Sequence, residues 1–183
     1  MDNVKQTISS RRIPVKNTIY RIISRQSKKA IEVSDNEAVY LNEPSESVNQ
    51  QFSFLPSEDG YYQIISKSSG KALDIALGGT QNGAQIHQWT VHGGDNQLWA
   101  VQTVARGIYI LRAKASGRCM DIAGISSENG ARLQIWDDVG GENQQWMLKA
   151  VKQTATRKPS ASKSTVKKSS STVRKSPSTK KKS

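Results

Sequence analysis

Residues 62–99 and 109–146 carry one pattern at a constant offset of 47. Tyr62, Gly70, Asp74, Asn82-Gly83-Ala84, Trp89, Gly93-Gly94, Asn96-Gln97 and Trp99 recur as Tyr109, Gly117, Asp121, Asn129-Gly130-Ala131, Trp136, Gly140-Gly141, Asn143-Gln144 and Trp146. A third, degenerate copy stands upstream. Tyr20-Arg21-Ile22-Ile23-Ser24 matches Tyr62-Gln63-Ile64-Ile65-Ser66, and Asn49-Gln50-Gln51-Phe52 matches Asn96-Gln97-Leu98-Trp99. Its first half is offset by 42 and its second by 47, so five residues are missing between them. A unit of this length cannot bury its apolar face alone, so the copies must pack on one another.

Within each copy the segments are short, alternate apolar with polar, and are punctuated by Gly, Asn and Ser. That is strand-and-turn patterning rather than helical periodicity, and it predicts a closed all-β architecture of three units. The expected organisation is a lead-in over residues 1–16, a repeat domain over 17–151 (repeats about 17–60, 61–107 and 108–151), and a tail over 152–183. The tail is rich in Lys, Ser, Thr and Pro with almost no large apolar residue, so burial cannot offset the entropy of ordering it and disorder is expected.

Charge separates the same regions. The formal net charge is +12, yet residues 152–183 hold 11 of the 27 Lys and Arg and no acid, leaving 16 cations against 15 acids elsewhere. The repeat body is close to neutral. The tail clusters, Arg157-Lys158, Lys167-Lys168, Arg174-Lys175 and Lys180-Lys181-Lys182, suit salt-dependent contact with a polyanion: nucleic acid, a wall polymer or a membrane surface. They lack the aromatic residues of a single-strand stacking platform.

The single cysteine, Cys119, excludes an internal disulfide framework. No run approaches the roughly 18 apolar residues of a membrane span, and the first residues lack a signal peptide's apolar core. The expected address is cytoplasmic, or outside the cell by a non-conventional route, with the nucleus open to a eukaryotic chain.

The repeat endings Gln97-Leu98-Trp99 and Gln144-Gln145-Trp146, with Gln50-Gln51-Phe52 as a variant, resemble the Gln-x-Trp repeats of ricin B-type lectins. The stretch from Asn129 to Trp136, followed by residues 140–146, is likewise similar to the ricin-like carbohydrate-binding modules of glycosidases. The resemblance covers about residues 17–151. It implies a β-trefoil, with one shallow sugar pocket available per repeat.

Alternation along a strand sorts the side chains of these repeats. Leu133 and Ile135 take one face while Gln134 and Trp136 take the other; His87 and Trp89 hold the corresponding outward positions in repeat 2. Met120 and Ile122 flank Asp121, and Leu73 and Ile75 flank Asp74, so each Asp points away from the apolar face. A pyranose offers hydroxyls that need in-plane partners and a C–H patch that lies on an aromatic face. The resemblance assigns the hydroxyls to Asp121, Gln134, Asn143 and Gln144 in repeat 3, and to Asp74, His87, Asn96 and Gln97 in repeat 2. Gln97 and Gln144 either steady the Asp or share its hydroxyls. Trp136 and Trp89 are the expected stacking platforms, while Trp99 and Trp146 are expected in the core. His87 departs from the family's Gln, so repeat 3 is the better match.

Repeat 1 has Glu32 in the Asp place, Asn42 in the Trp place and the shortened loop, so it is expected to be structural, with Tyr40 as an alternative platform. The cysteine that many family members pair with Cys119 would fall at Asp138, so that bond cannot form here. The function expected is a non-enzymatic lectin for glycans with galactose- or xylose-type units. The alternative is a scaffold trefoil with vestigial sites, targeted by its tail. No catalytic residue, cofactor or metal is expected, because no paired-carboxylate, metal or nucleophile motif stands outside the repeats.

Overall fold

The computed structural model describes Pro14 and residues 17–152; the lead-in and the tail, apart from Pro14 and Lys152, lie outside the described residues. Each repeat supplies four strands. Repeat 1 forms β1 (Ile19–Ser24), β2 (Ala30–Val33), β3 (Val39–Asn42) and β4 (Phe52–Pro56). Repeat 2 forms β5 (Tyr62–Ser66), β6 (Ala72–Ile75), β7 (Ile86–Trp89) and β8 (Leu98–Ala105). Repeat 3 forms β9 (Ile108–Ala113), β10 (Cys119–Ile122), β11 (Leu133–Trp136) and β12 (Trp146–Ala150).

The first and last strands of the repeats pair in the cycle β1–β4–β5–β8–β9–β12 and back to β1, all antiparallel. A ring of strands has no open edge to template aggregation. The remaining strands form three hairpins, β2–β3, β6–β7 and β10–β11. These lean on one another through the backbone pairs Ala38–His87, Gln85–Gln134 and Arg132–Tyr40. Those are the same two positions taken from successive repeats, so the contact runs round a pseudo-threefold axis. The fold is the β-trefoil that the repeats imply.

Its core is built in triplets. Ile22, Ile64 and Leu111, then Ile31, Leu73 and Met120, then Phe52, Trp99 and Trp146 are all buried in equivalent places. An indole can be fully buried only if its N–H finds a partner. Trp99 Nε1 donates to the Leu73 carbonyl and Trp146 Nε1 to the Met120 carbonyl, each at 3.1 Å. Phe52 needs none. Truncating either indole to alanine should cost about 3–5 kcal/mol. Cys119 is also buried, as a free thiol pushed up to about 11 by burial, and behaves as a small apolar residue.

The five missing residues are now located. The β2–β3 connection is residues 34–38, whereas the β6–β7 and β10–β11 connections are residues 76–85 and 123–132. Repeat 1 therefore lacks half of this loop, and Asp35-Asn36-Glu37 stand before Ala38 where the Asn-Gly-Ala motif precedes Gln85 and Arg132 in the other two. The shortened loop also changes its neighbour. Gln88 sits where Leu41 and Ile135 are apolar, and is buried with its amide satisfied by the Ser34 carbonyl at 2.6 Å and the Ser69 hydroxyl at 2.5 Å.

Candidate functional site

Strand pairing across β10–β11 sets Asp121 directly opposite Gln134. Gln134 Nε2 donates to Asp121 Oδ1 at 2.9 Å, while Asn143 Nδ2 and Gln144 Nε2 donate to Oδ2 at 2.7 and 3.0 Å. Gln144 comes from a short 3-10 turn, Glu142–Gln144, whose side chain is itself fixed: its Oε1 accepts from the Val139 amide at 3.0 Å. Position 141 suits glycine here, since a Cβ would stand 2.3 Å from Asn143 Oδ1 and displace a side chain that holds Asp121.

The result is a carboxylate only 4% exposed at the floor of a depression of about 360 Å³, with Trp136, Ile125 and Val139 around it. Burial pushes the Asp121 carboxyl above the usual carboxylate range, and the Gln134 and Gln144 amides pull it back toward the ionised form. A carboxylate has about four acceptor directions. Three are used here, which leaves one on Oδ1 for an incoming hydroxyl. Trp136 is 38% exposed, against 0% for Trp99 and Trp146, so one indole of repeat 3 faces solvent and the other closes the core.

Repeat 2 rebuilds this geometry with different chemistry. Asp74 is 2% exposed and accepts from Asn96 Nδ2 at 2.9 Å and Gln97 Nε2 at 2.7 Å. His87 Nε2 lies 3.1 Å from Oδ1, in the place of Gln134, and His92 Nε2 lies 3.4 Å from Oδ2, in the place of Val139. The Gly94 amide donates to His92 Nδ1 at 3.1 Å, which assigns the ring hydrogen to Nε2, facing the carboxylate. Both histidines of the chain therefore converge on one aspartate, His87 at Oδ1 and His92 beside the Oδ2 that Asn96 and Gln97 already hold. Trp89 is 44% exposed over a depression of about 410 Å³, but the His87 ring stacks on it at 5.5 Å and 16°, and Lys71 Nζ sits 5.9 Å from its centre.

In repeat 1 Glu32 takes the acid's place. Tyr40 Oη donates to it at 3.1 Å, Asn42 Nδ2 at 3.3 Å and Gln50 Nε2 at 2.6 Å. The polar cluster survives, but Asn42 offers no aromatic face. Tyr40 is spent on holding the acid, and burial with the Glu32 contact raises its phenol above the ordinary range.

Alternation placed the two aspartates on the outward face, and the structure adds that they are buried there, because the turns Asp95–Gln97 and Glu142–Gln144 fold over them. Gln97 and Gln144 are wholly buried and line neither depression, so their work is to hold the carboxylate. Two wall residues escaped the sequence reading. Leu77 and Ile125 are fully or largely exposed, at φ 56° and 55°, each beside a glycine also in the left-handed region, Gly78 and Gly124. A branched side chain in that region costs about 1–2 kcal/mol, and such strain gathers at functional sites. Their signal in the sequence was an apolar residue paired with glycine immediately after the strand that carries the Asp.

A closed threefold barrel with shallow depressions, each joining a buried carboxylate, amide donors and an exposed indole, defines a trefoil of the lectin class. The sequence pattern described as ricin-type β-trefoil lectin domain-like matches residues 48–136 and 106–170, and the chain belongs to that family. Among solved structures, a designed threefold-symmetric protein, ThreeFoil, is 35% identical with a TM-score of 0.70, covering 73% of this chain and 99% of that one. An exo-β-1,3-galactanase from Clostridium thermocellum is 30% identical with a TM-score of 0.72; the match covers 76% of this chain but only 31% of the enzyme. The Macrolepiota procera ricin B-like lectin, solved with lactose, shares the fold at 18% identity and a TM-score of 0.65, covering 74% of this chain and 96% of that one. No curated protein matches the chain.

Proposed function

We propose that this chain is a non-catalytic lectin that binds galactose- or xylose-type units, chiefly through the repeat 3 depression and more weakly through that of repeat 2. The observation that carries this reading is the free acceptor direction on Asp121 beside the exposed face of Trp136. An equatorial or axial hydroxyl pair can be shared between Asp121 and Asn143, while the sugar's C–H face lies on the indole. Lactose in the Macrolepiota procera lectin and the galactan-degrading activity in the name of the clostridial enzyme favour the galactose alternative. The enzyme shares only its trefoil portion with this chain, so its hydrolysis does not come with the likeness. Asp74 and Asp121 also lie in separate repeats, each within its own depression, and do not form an acid–base pair.

Shallow single sites bind weakly, and two on one rigid body gain by avidity on a multivalent glycan. The basic segment 152–183 is proposed to act separately, on polyanions, with steep salt dependence. Calorimetric titration with lactose and with xylobiose tests the main reading. Saturable binding that Asp121→Ala removes is expected; no heat from either sugar, or an Asp121→Ala variant that binds as the parent does, would favour a scaffold with vestigial sites.

A further inference from the structure

We infer that the repeat 3 site is built by two repeats, with Asn82 and Gly83 of repeat 2 acting as positioning residues for the Trp136 platform. The inference rests on the sugar-binding reading only for its effect on affinity; the geometry stands by itself.

Trp136 is the last residue of β11, and a strand end held only by its own hairpin would leave an exposed indole free to swing. Repeat 2 grips the backbone on both sides of it. Before Trp136, Gly83 N donates to the Ile135 carbonyl at 2.9 Å and Ile135 N donates to the Ala84 carbonyl at 2.9 Å. After it, the Asp137 amide donates to Asn82 Oδ1 at 2.8 Å, and Asn82 Nδ2 donates to Asp137 Oδ2 at 2.8 Å. Arg118 locks this clasp from repeat 3 itself: its Nε donates to Asn82 Oδ1 at 2.6 Å and lies 3.0 Å from Asp137 Oδ1. Gly83, at φ 86°, brings its backbone so near the indole that an added Cβ would stand 3.8 Å from Trp136 Cζ3.

The other two junctions lack some part of this arrangement. Repeat 3 offers the same backbone grip to repeat 1, through Gly130 N to the Leu41 carbonyl at 2.8 Å and Leu41 N to the Ala131 carbonyl at 2.9 Å, but the residue held is Asn42. Repeat 1 has Asp35-Asn36 where the others have Asn-Gly. Toward repeat 2 it keeps one bond of the grip, Gln88 N to the Glu37 carbonyl at 3.0 Å, the counterpart of Ile135 N to Ala84, and adds the Glu37–Lys71 ion pair at 2.6 Å. The deletion in repeat 1 is thus felt at the site of repeat 2, whose Trp89 is steadied by His87 and Lys71 rather than by a neighbouring clasp. Only repeat 3 combines a platform, a wall and a clasp.

The test compares Asn82→Ala with Asn129→Ala in the full chain. The second removes the equivalent asparagine at the junction where no platform stands. Asn82 is partly exposed, so neither change threatens the core. Without sugar, Asn82→Ala should shift and broaden the Trp136 indole N–H resonance and lower its heteronuclear NOE, leaving Trp89 unmoved. With lactose, its affinity at Trp136 should fall about fivefold, the equivalent of one net hydrogen bond; Asn129→Ala should match the parent in both readouts. An Asn82→Ala chain whose Trp136 resonance and order are those of the parent overturns the inference, whether or not lactose binds. Loss of lactose binding equal in both variants also overturns it, since it would mark a general loss of structure. Absence of lactose binding in the parent would instead count against the sugar reading, with the sugar-free resonance still deciding the clasp.

Discussion

The depressions of repeats 2 and 3 stand on the same strands, the same Asn-Gln turn and the same kind of exposed indole, yet they present different chemistry. In repeat 3 the carboxylate is held by three neutral amides and keeps one acceptor direction open. In repeat 2 two imidazoles close on the carboxylate, and one of them also covers part of the platform. An indole face that a neighbouring ring already covers must be cleared before a ligand can lie on it. Similar residues at similar spacing therefore give one depression with an open indole face and one whose indole is partly covered.

The largest effect should come from Asp121→Ala. It removes the central acceptor and orphans the amides of Gln134, Asn143 and Gln144, so lactose affinity at Trp136 should fall by at least about tenfold and stability by about 1–3 kcal/mol. Asp74→Ala should change total lactose binding much less in the same calorimetric titration. Next comes Trp136→Ala, which should weaken binding about fivefold through loss of stacking, with little change in thermal midpoint because the ring is exposed. Trp89→Ala should have a smaller effect on binding. A gain is expected from His87→Gln with His92→Val, which gives repeat 2 the residues of repeat 3. Affinity at Trp89 should rise a few-fold, as the indole face that His87 covers is freed.

The smallest effect, on stability, separates binding from folding at Asp121. Its folded-state value lies above the ordinary one, so the native state holds that proton more tightly than the unfolded chain. Its ionised form thus costs stability at pH above the folded value, and the cost disappears as pH falls through that value and the ordinary carboxylate range. In the proposed site a sugar hydroxyl donates to the ionised form. Acidification should therefore weaken binding at repeat 3 starting above the ordinary carboxylate range, while this residue's drag on the fold lifts. Asp121→Asn should abolish the pH dependence and most of the binding at neutral pH, with an unchanged or slightly raised thermal midpoint by calorimetry.

Much of this was legible in the repeats. The internal offset located three units, alternation turned Trp89 and Trp136 toward solvent, and the Gln-x-Trp resemblance assigned Trp99 and Trp146 to the core, which their indoles fill. The lost Trp at Asn42 marked repeat 1 as different. Other features depend on chain segments meeting from far apart in sequence, which a single strand's periodicity does not record. The burial of Gln97 and Gln144 follows from turns folding back over β6 and β10. His92, in no motif, reaches Asp74 only through the Gly93-Gly94 bend. The five-residue gap was visible, but its effect on a neighbouring repeat required the pseudo-threefold contact of the hairpins.

The proposed function makes repeat 3 the working site and repeat 2 a hindered copy of it. A lactose titration of the full chain, followed through the four indole N–H resonances, tests it most directly. Trp136 should shift along a saturable curve at the lowest lactose concentrations, Trp89 should follow at higher ones, and Trp99 and Trp146 should stay still. Saturation of Trp89 before Trp136, or a Trp136 signal that never moves while Trp89 responds, would contradict it.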